Sequence, residues 1–542
     1  MIKNGMIALI LIGLSMTACK KETADLILDN GRIYTLDEKF STAEAMVIKD
    51  GKIAAVGNTK EINESWKSDQ HIDLEKKIVY PGFIDAHAHF SGYAENLYRY
   101  ASLVDAANFG EVLERLETHD AQSDDAWLCG RGWDQNDWPG QEYPDKSELD
   151  KRWPNTPVYL VRIDHHAALA NSKALELAGI TAESKISGGE YVKKDGELTG
   201  VLIDNAMEAV RKLIPPLTQE QWLDALKIAE KNLTEAGLTM VSDAGLDKNM
   251  VEWMAEFYKD GELKIRNNAM LYPTEENYQR FVKNGPYHSD RLTIQAIKLF
   301  GDGALGSRGA YLLEDYADDP GNRGFMLEDT AYYEKHCRKA AENGFQVCSH
   351  SIGDASLRVL LDVYEPFVKD MKDHRWRIEH AQTVHPDDLP RFGELDVIPS
   401  IQSTHCTSDM DWARIRLGEE RLKTAYVFQD LLDQTGWIIN GTDFPIEEIS
   451  PLYTFYAAVF RTHPDGTPKG GFQMENALSR EDALRSMTIW AAKGSFDEDT
   501  RGSLETGKFA DFVILDTDMM KASPEEVLNA KVLGTWIQGE KL

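Results

Sequence analysis

The sequence predicts an α/β fold: a (β/α)8 TIM barrel with a small composite β domain built from both chain ends and a long insertion after the first barrel strand. Three observations predict it. Eight short apolar, β-rich runs follow one another through the middle of the chain, with helical periodicity between the later ones. Short apolar runs broken by turn signals sit at both ends. A tryptophan-rich stretch interrupts the alternation directly after its first run. Strand and helix alternating eight times is the pattern of a barrel whose core takes about 250 residues.

The eight runs are Phe83 to Ala86, Leu238 to Ser242, Ile265 to Leu271, Ile294 to Phe300, Phe345 to Ser349, Trp376 to Glu379, Val397 to Ile401 and Trp437 to Asn440. Helical stretches such as Gln219 to Ala236, Thr330 to Asn343 and Ser356 to Met371 separate them, several ending near a glycine suited to the helix C-terminus. An open α/β sheet is the structural alternative, because strand boundaries are the least secure part of such a reading. The barrel is assigned to 81–500, with its insertion at about 90–216 carrying Trp127, Trp133, Trp138 and Trp153. Before it, Asn30-Gly31 and Asp50-Gly51 stand between short apolar runs, which is a hairpin signal. Similar runs return at Asp511 to Leu515 and Val532 to Ile537, so 24–80 and 503–542 are paired into one β domain.

Residues 1–19 read as an export signal: Lys3 in a positive start, an apolar run from Met6 to Met16, then small residues before Cys19. The run is too short for a transmembrane helix, which needs about 20 apolar residues. Met16-Thr17-Ala18-Cys19 resembles the lipobox of bacterial lipoproteins, with methionine where leucine is usual. That resemblance implies lipidation at Cys19 and an exported protein anchored to a membrane on the periplasmic or cell-surface side. The remaining cysteines, Cys129, Cys337, Cys348 and Cys406, lack paired spacing and form no disulfide framework.

With 42% hydrophobic and 27% charged residues the chain is globular, and the net charge of −31 with no basic run excludes nucleic acid as an expected partner. Chemistry concentrates at the strand ends. In Asp85-Ala86-His87-Ala88-His89 the two histidines are two apart, and residues i and i+2 of a strand face the same way. His350, His380 and Asp443 each follow another run by a step or a few. In a barrel all strand carboxyl ends share one face, so these residues converge, and a cluster of imidazoles and a carboxylate is a metal site. Lys298 ends the fourth run. Residue chemistry alone favours an ordinary lysine paired with Asp302 or with substrate, because a buried ammonium is costly without a partner.

Taken together, Gly82-Phe83-Ile84-Asp85-Ala86-His87-Ala88-His89, Lys298 with Gly301-Asp302-Gly303, Ser349-His350-Ser351-Ile352-Gly353-Asp354, Arg377-Ile378-Glu379-His380-Ala381 and Gly441-Thr442-Asp443-Phe444-Pro445 resemble the amidohydrolase superfamily. More narrowly the chain is similar to amidohydrolase family 3, the branch with N-substituted formamide deformylases. The resemblance spans nearly the whole chain after the signal. It implies metal ligands His87, His89, Lys298, His350, His380 and Asp443, with Lys298 carboxylated. The metal is expected to be zinc or another divalent cation, as one or two ions. Gly130-Arg131-Gly132-Trp133-Asp134 and the stretch Arg162 to Ser172 also look like that branch, although glycine is common where His165 stands. Substrate contacts are expected at Trp133, His166 and Asp302. The implied reaction is hydrolysis of a carbon–nitrogen bond in a small non-peptide amide, with Asp443 as general base. The alternatives are ester or lactone hydrolysis on the same metal, and a lipid-anchored binding or regulatory protein without catalysis.

Overall fold

The computed structural model describes residues 21–122, 125–163 and 166–542; the segment expected to be an export signal with Cys19, and His165, lie outside the described residues. Among the described residues, eight parallel strands follow one another in sequence order around one sheet. They are β1 (Phe83–Ala88), β2 (Leu238–Leu246), β3 (Arg266–Leu271), β4 (Leu292–Phe300), β5 (Gln346–Ser351), β6 (Arg377–His380), β7 (Ile398–Ile401) and β8 (Ile439–Asn440). Each coincides with one of the expected runs, and the sheet is a nearly closed barrel rather than an open one. The strands are buried on both faces because helices cover the outside, as around Thr330–Asn343, whose chain leaves through Gly344 at φ 73°.

The seam between β1 and β8 is closed by side chain and loop rather than by a strand ladder. The Asp85 carboxylate accepts the backbone N–H groups of His87 and Thr442 (3.1 Å each) and the Thr442 hydroxyl (2.7 Å). Asp443 N–H donates to the His87 carbonyl, and His89 N–H to that of Phe444, both at 2.8 Å. Gly441 is required here: a Cβ would meet the His87 backbone nitrogen at 2.4 Å. Burial pushes the Asp85 carboxyl up to about 6 despite these bonds.

Strands from the two ends of the chain share a sheet. Phe512–Leu515 pairs antiparallel with Ile78–Pro81 and with Val532–Ile537, beside a four-stranded sheet holding Leu26–Asp29 and Ala45–Lys49. Between them lie Leu28, Ile48 and Val79, with Phe512 stacked on Trp536. Asp50-Gly51 makes the expected hairpin, both residues at positive φ. Asn30-Gly31 does not: Leu26–Asp29 and Arg32–Tyr34 belong to different sheets, so this turn carries the chain across the domain. The barrel is bolted to this domain by Arg266 at the start of β3, whose guanidinium forms a two-pronged ion pair with Asp511 at 2.7 and 3.0 Å, both buried.

The insertion follows the helix Phe90–Arg99 and forms a mixed six-stranded sheet of its own, with separate apolar cores on its two faces. The four cysteines after Cys19 are buried and free. No described helix is long and apolar enough to cross a membrane.

Removing one partner of a buried pair strands the other charge, so Arg266→Met is expected to lower stability by about 3–5 kcal/mol. A shift of the urea midpoint measures it. Adding Asp511→Asn recovers much of the loss, because the amide oxygen still accepts the Gln538 N–H.

Candidate metal centre

The carboxyl ends of the barrel strands gather the predicted side chains around one cavity of about 380 Å³. His87 is the last but one residue of β1 and fully buried; His89 caps the following helix, its side chain 31% exposed. Their Nε2 atoms stand 3.4 and 3.2 Å from Asp443 Oδ1. Lys298 on β4 brings Nζ to 3.2 Å from His87 Nε2. The rings of His350 and His380 lie 4.4 Å apart, and His380 lies 5.1 Å from His87. Six side chains from five strand ends are thus brought together.

Their electrostatics suit a cation. Burial holds the imidazoles of His350 (down to about 3), His380 and His89 neutral, with lone pairs available. Burial would raise the Asp443 carboxyl, but the imidazoles of His87 and His89 beside it hold it well below the usual carboxylate range. Four ligand-type atoms here are buried without a hydrogen-bond partner: His350 Nε2, His380 Nδ1, His405 Nε2 and Asp443 Oδ1. Orphaned buried acceptors are rare in folded proteins, and this set of nitrogen and oxygen donors fits a divalent ion. Two groups, His87–His89–Asp443 and His380–His405–Asp443, each bring their ligand atoms within 4.8 Å of one another. His380 and Asp443 both take left-handed backbone, φ 72° and 63°. Such positions cost of order 1–3 kcal/mol each and cluster at functional sites.

The supporting shell is as specific. Glu379, fully buried between Arg377 and His380, places Oε2 2.5 Å from His87 Nδ1 and accepts the Ser400 hydroxyl at 2.6 Å. Burial would raise its carboxyl, but Arg377 at 2.5 Å and His87 hold it well below the ordinary range. An ionised Glu379 fixes the proton on His87 Nδ1 and turns Nε2 toward Asp443. Burial lowers the Lys298 ammonium against the opposing pull of Glu379 and Asp443.

Three other expected residues stand differently. Lys298 is not paired with Asp302: the Asp302 oxygens accept the N–H groups of Ile352 (3.0 Å), Gly353 and Tyr311 (2.8 Å each), which ties two loops together beside His350. Its carboxylate is occupied in holding backbone rather than offered to substrate. Trp133 is core of the insertion, its indole N–H donating to the Leu160 carbonyl at 2.9 Å and its ring against Trp138. The aromatic wall of the cavity is instead Phe300 and Trp412. His166 is 75% exposed, pairs with Asp204 at 2.8 Å, and borders a different cavity. His405, which sequence reasoning missed, faces the metal-binding cavity with Nε2 3.7 Å from Asp443 Oδ2. It sits on the first turn of the helix Ser403–Leu422, beyond the strand end where ligands are sought.

A barrel with imidazoles and a carboxylate converging at its strand ends defines a metal-dependent hydrolase. The amidohydrolase family model matches residues 70–542, and the chain belongs to amidohydrolase family 3 and is a hydrolase acting on carbon–nitrogen bonds. It is 34% identical to protein LONG AFTER FAR-RED 3 of Arabidopsis thaliana, over 97% of this chain and 93% of that one. It is 26% identical to the N-substituted formamide deformylase of Arthrobacter pascens, over 95% and 97%. Among solved structures, an uncharacterized metal-dependent hydrolase from Pyrococcus horikoshii aligns with a TM-score of 0.78 and 31% identity, covering 92% of this chain and 99% of that one.

Glu379→Gln, which keeps the shape but removes the charge on His87, is expected to weaken metal binding about 10–100-fold. Competition against a chromogenic chelator reads this directly.

Proposed function

We propose that this protein hydrolyses a small non-peptide amide, formamide-like or N-acyl, at the cavity enclosed by His87, His89, Lys298, His350, His380 and Asp443. The observation that carries the reading is the convergence of buried, unpaired ligand atoms on one cavity. Zinc fits these donors, imidazoles and a carboxylate, as do manganese, iron and cobalt. When bound, such an ion lowers the pKa of water toward about 7 and polarises a carbonyl.

The chain's own groups do the rest. Asp443 Oδ1, unpartnered and ionised, takes the proton of the attacking water and returns it to the departing nitrogen. Glu379 keeps His87 oriented throughout. His405 stands across the cavity beside the Asp443 carboxylate, where an imidazole N–H can meet charge developing on the carbonyl oxygen. Trp412, Leu305 and Ile446 wall the cavity with apolar surface for an acyl or amine substituent. Lys298, whose ammonium form is disfavoured by burial, can as the neutral amine add carbon dioxide with loss of one N–H proton to water, and a carboxylated Lys298 presents an anionic oxygen in place of an ammonium. This chemistry also favours catalysis over a purely binding role, for which no ionised base is needed. Cys19 is proposed to carry a lipid that holds the exported protein at a membrane.

Purified protein is expected to hold one or two zinc equivalents by elemental analysis, and His87→Ala and Lys298→Ala to lose metal; a parent that binds none after reconstitution overturns the reading. Asp443→Asn is expected to lower kcat on an amide panel by about 10²–10⁴-fold while metal remains bound. Separately, Cys19→Ser is expected to move the protein from the membrane fraction to the soluble one.

A further inference from the structure

The insertion contains a second cavity, larger than the first at about 590 Å³, which the hydrolytic reading does not use. It lies along one face of three parallel strands of the insertion sheet, Tyr100–Ser102, Leu128–Trp133 and Val158–Arg162, which contribute Tyr100, Arg131, Tyr159 and Val161 to its wall. The register places Tyr100, Cys129 and Tyr159 in one row across the sheet, and Ser102, Arg131 and Val161 in the next. Alternation puts both rows on one face.

Two groups at this cavity have no structural task. Arg131 makes no ion pair or side-chain hydrogen bond among the described residues, although Arg162 on the neighbouring strand is held by Gln135 and Asp134. Tyr159 is 0% exposed, and its hydroxyl is buried with no partner. Arg211 pairs with Glu208, and His166 Nδ1 lies 2.8 Å from Asp204. Among the described residues, Arg131 is the guanidinium of this cavity without a carboxylate partner. The motif Gly130-Arg131-Gly132 shows the same division. Gly130 and Gly132 are needed for packing, since a Cβ would meet Leu103 at 2.8 Å and Val104 at 2.5 Å, and Gly132 has φ 99°. Nothing in the packing needs Arg131.

We propose that this cavity binds a small aromatic carboxylate, with Arg131 and the Tyr159 hydroxyl on the carboxylate and Tyr100, Tyr159 and Val161 against the ring. A guanidinium fork matches a planar carboxylate with two parallel hydrogen bonds, and a buried hydroxyl without a partner penalises a ligand that cannot accept from it. The site uses none of the metal ligands and stands independently of the hydrolytic reading. It also adjoins the catalytic end: Arg131, Asn96 and Tyr100 border a further cavity reaching Pro445, the neighbour of Ile446 in the catalytic wall.

Calorimetric titration of the full-length protein with benzoate, and with benzamide as the neutral counterpart, tests this. Saturable benzoate binding is expected, with benzamide at least ten-fold weaker, a ten-fold or greater loss in Arg131→Gln, and a smaller loss in Tyr159→Phe. Arg131→Gln should keep the parent's melting temperature and metal content, since Arg131 supports neither. No saturable binding at millimolar benzoate, equal affinity for benzamide, or unchanged affinity in Arg131→Gln would overturn the proposal.

Discussion

The metal centre depends on how the barrel is shut. Between β1 and β8 the work of a strand ladder is done by one carboxylate: Asp85 gathers the loop after β8 against the strand that carries His87 and His89. Gly441 lets the two backbones approach, and the Asp443 N–H then closes on the His87 carbonyl. The contact that seals the barrel therefore also sets the distance from Asp443 to both imidazoles. Asp85 is held in this position against a desolvation cost, visible in its raised carboxyl, so fold and site draw on the same small set of interactions.

Charge placement at the centre follows a single logic. Glu379 is kept ionised by Arg377 and His87, and so defines which nitrogen of His87 is free. Burial keeps the remaining imidazoles neutral and weakens the proton affinity of Lys298. The result is a pocket rich in lone pairs whose own cations are few, surrounded by a chain with a net charge of −31. Such a pocket is poorly satisfied by protein alone and well satisfied by a divalent ion.

Much of this was legible in the sequence because the barrel's strands are uniform. The eight runs were visible as short β-rich text, mostly apolar because strands covered on both faces need no polar alternation, and the convergence of ligands from five of their ends follows from the topology. What was not legible depended on three-dimensional context. His405 escaped because a helix turn, not a strand end, delivers it. Trp133 looked like a pocket wall, but its indole N–H finds a backbone carbonyl inside the insertion, and sequence cannot say which tryptophan is paired and which is bare. Asp302 sits in a glycine-rich stretch beside Lys298 and invites pairing, yet three backbone amides claim its oxygens first. Asn30-Gly31 carries the hairpin signature but joins strands of two sheets, a distinction set by partners distant in the chain.

The sharing of one sheet by both chain ends bears on how the molecule is made. Ile78–Pro81 finds one neighbour, Arg32–Tyr34, early, but its other edge waits for Phe512–Leu515, and Arg266 waits equally for Asp511. Synthesis at roughly 5–20 residues per second separates these partners by tens of seconds. During that interval the nascent chain carries an open strand edge and a barrel whose β1 lacks its closing loop from after β8. The ligand set itself is complete only once Asp443 and the loop after β8 have been made, while the β domain waits for the final strands.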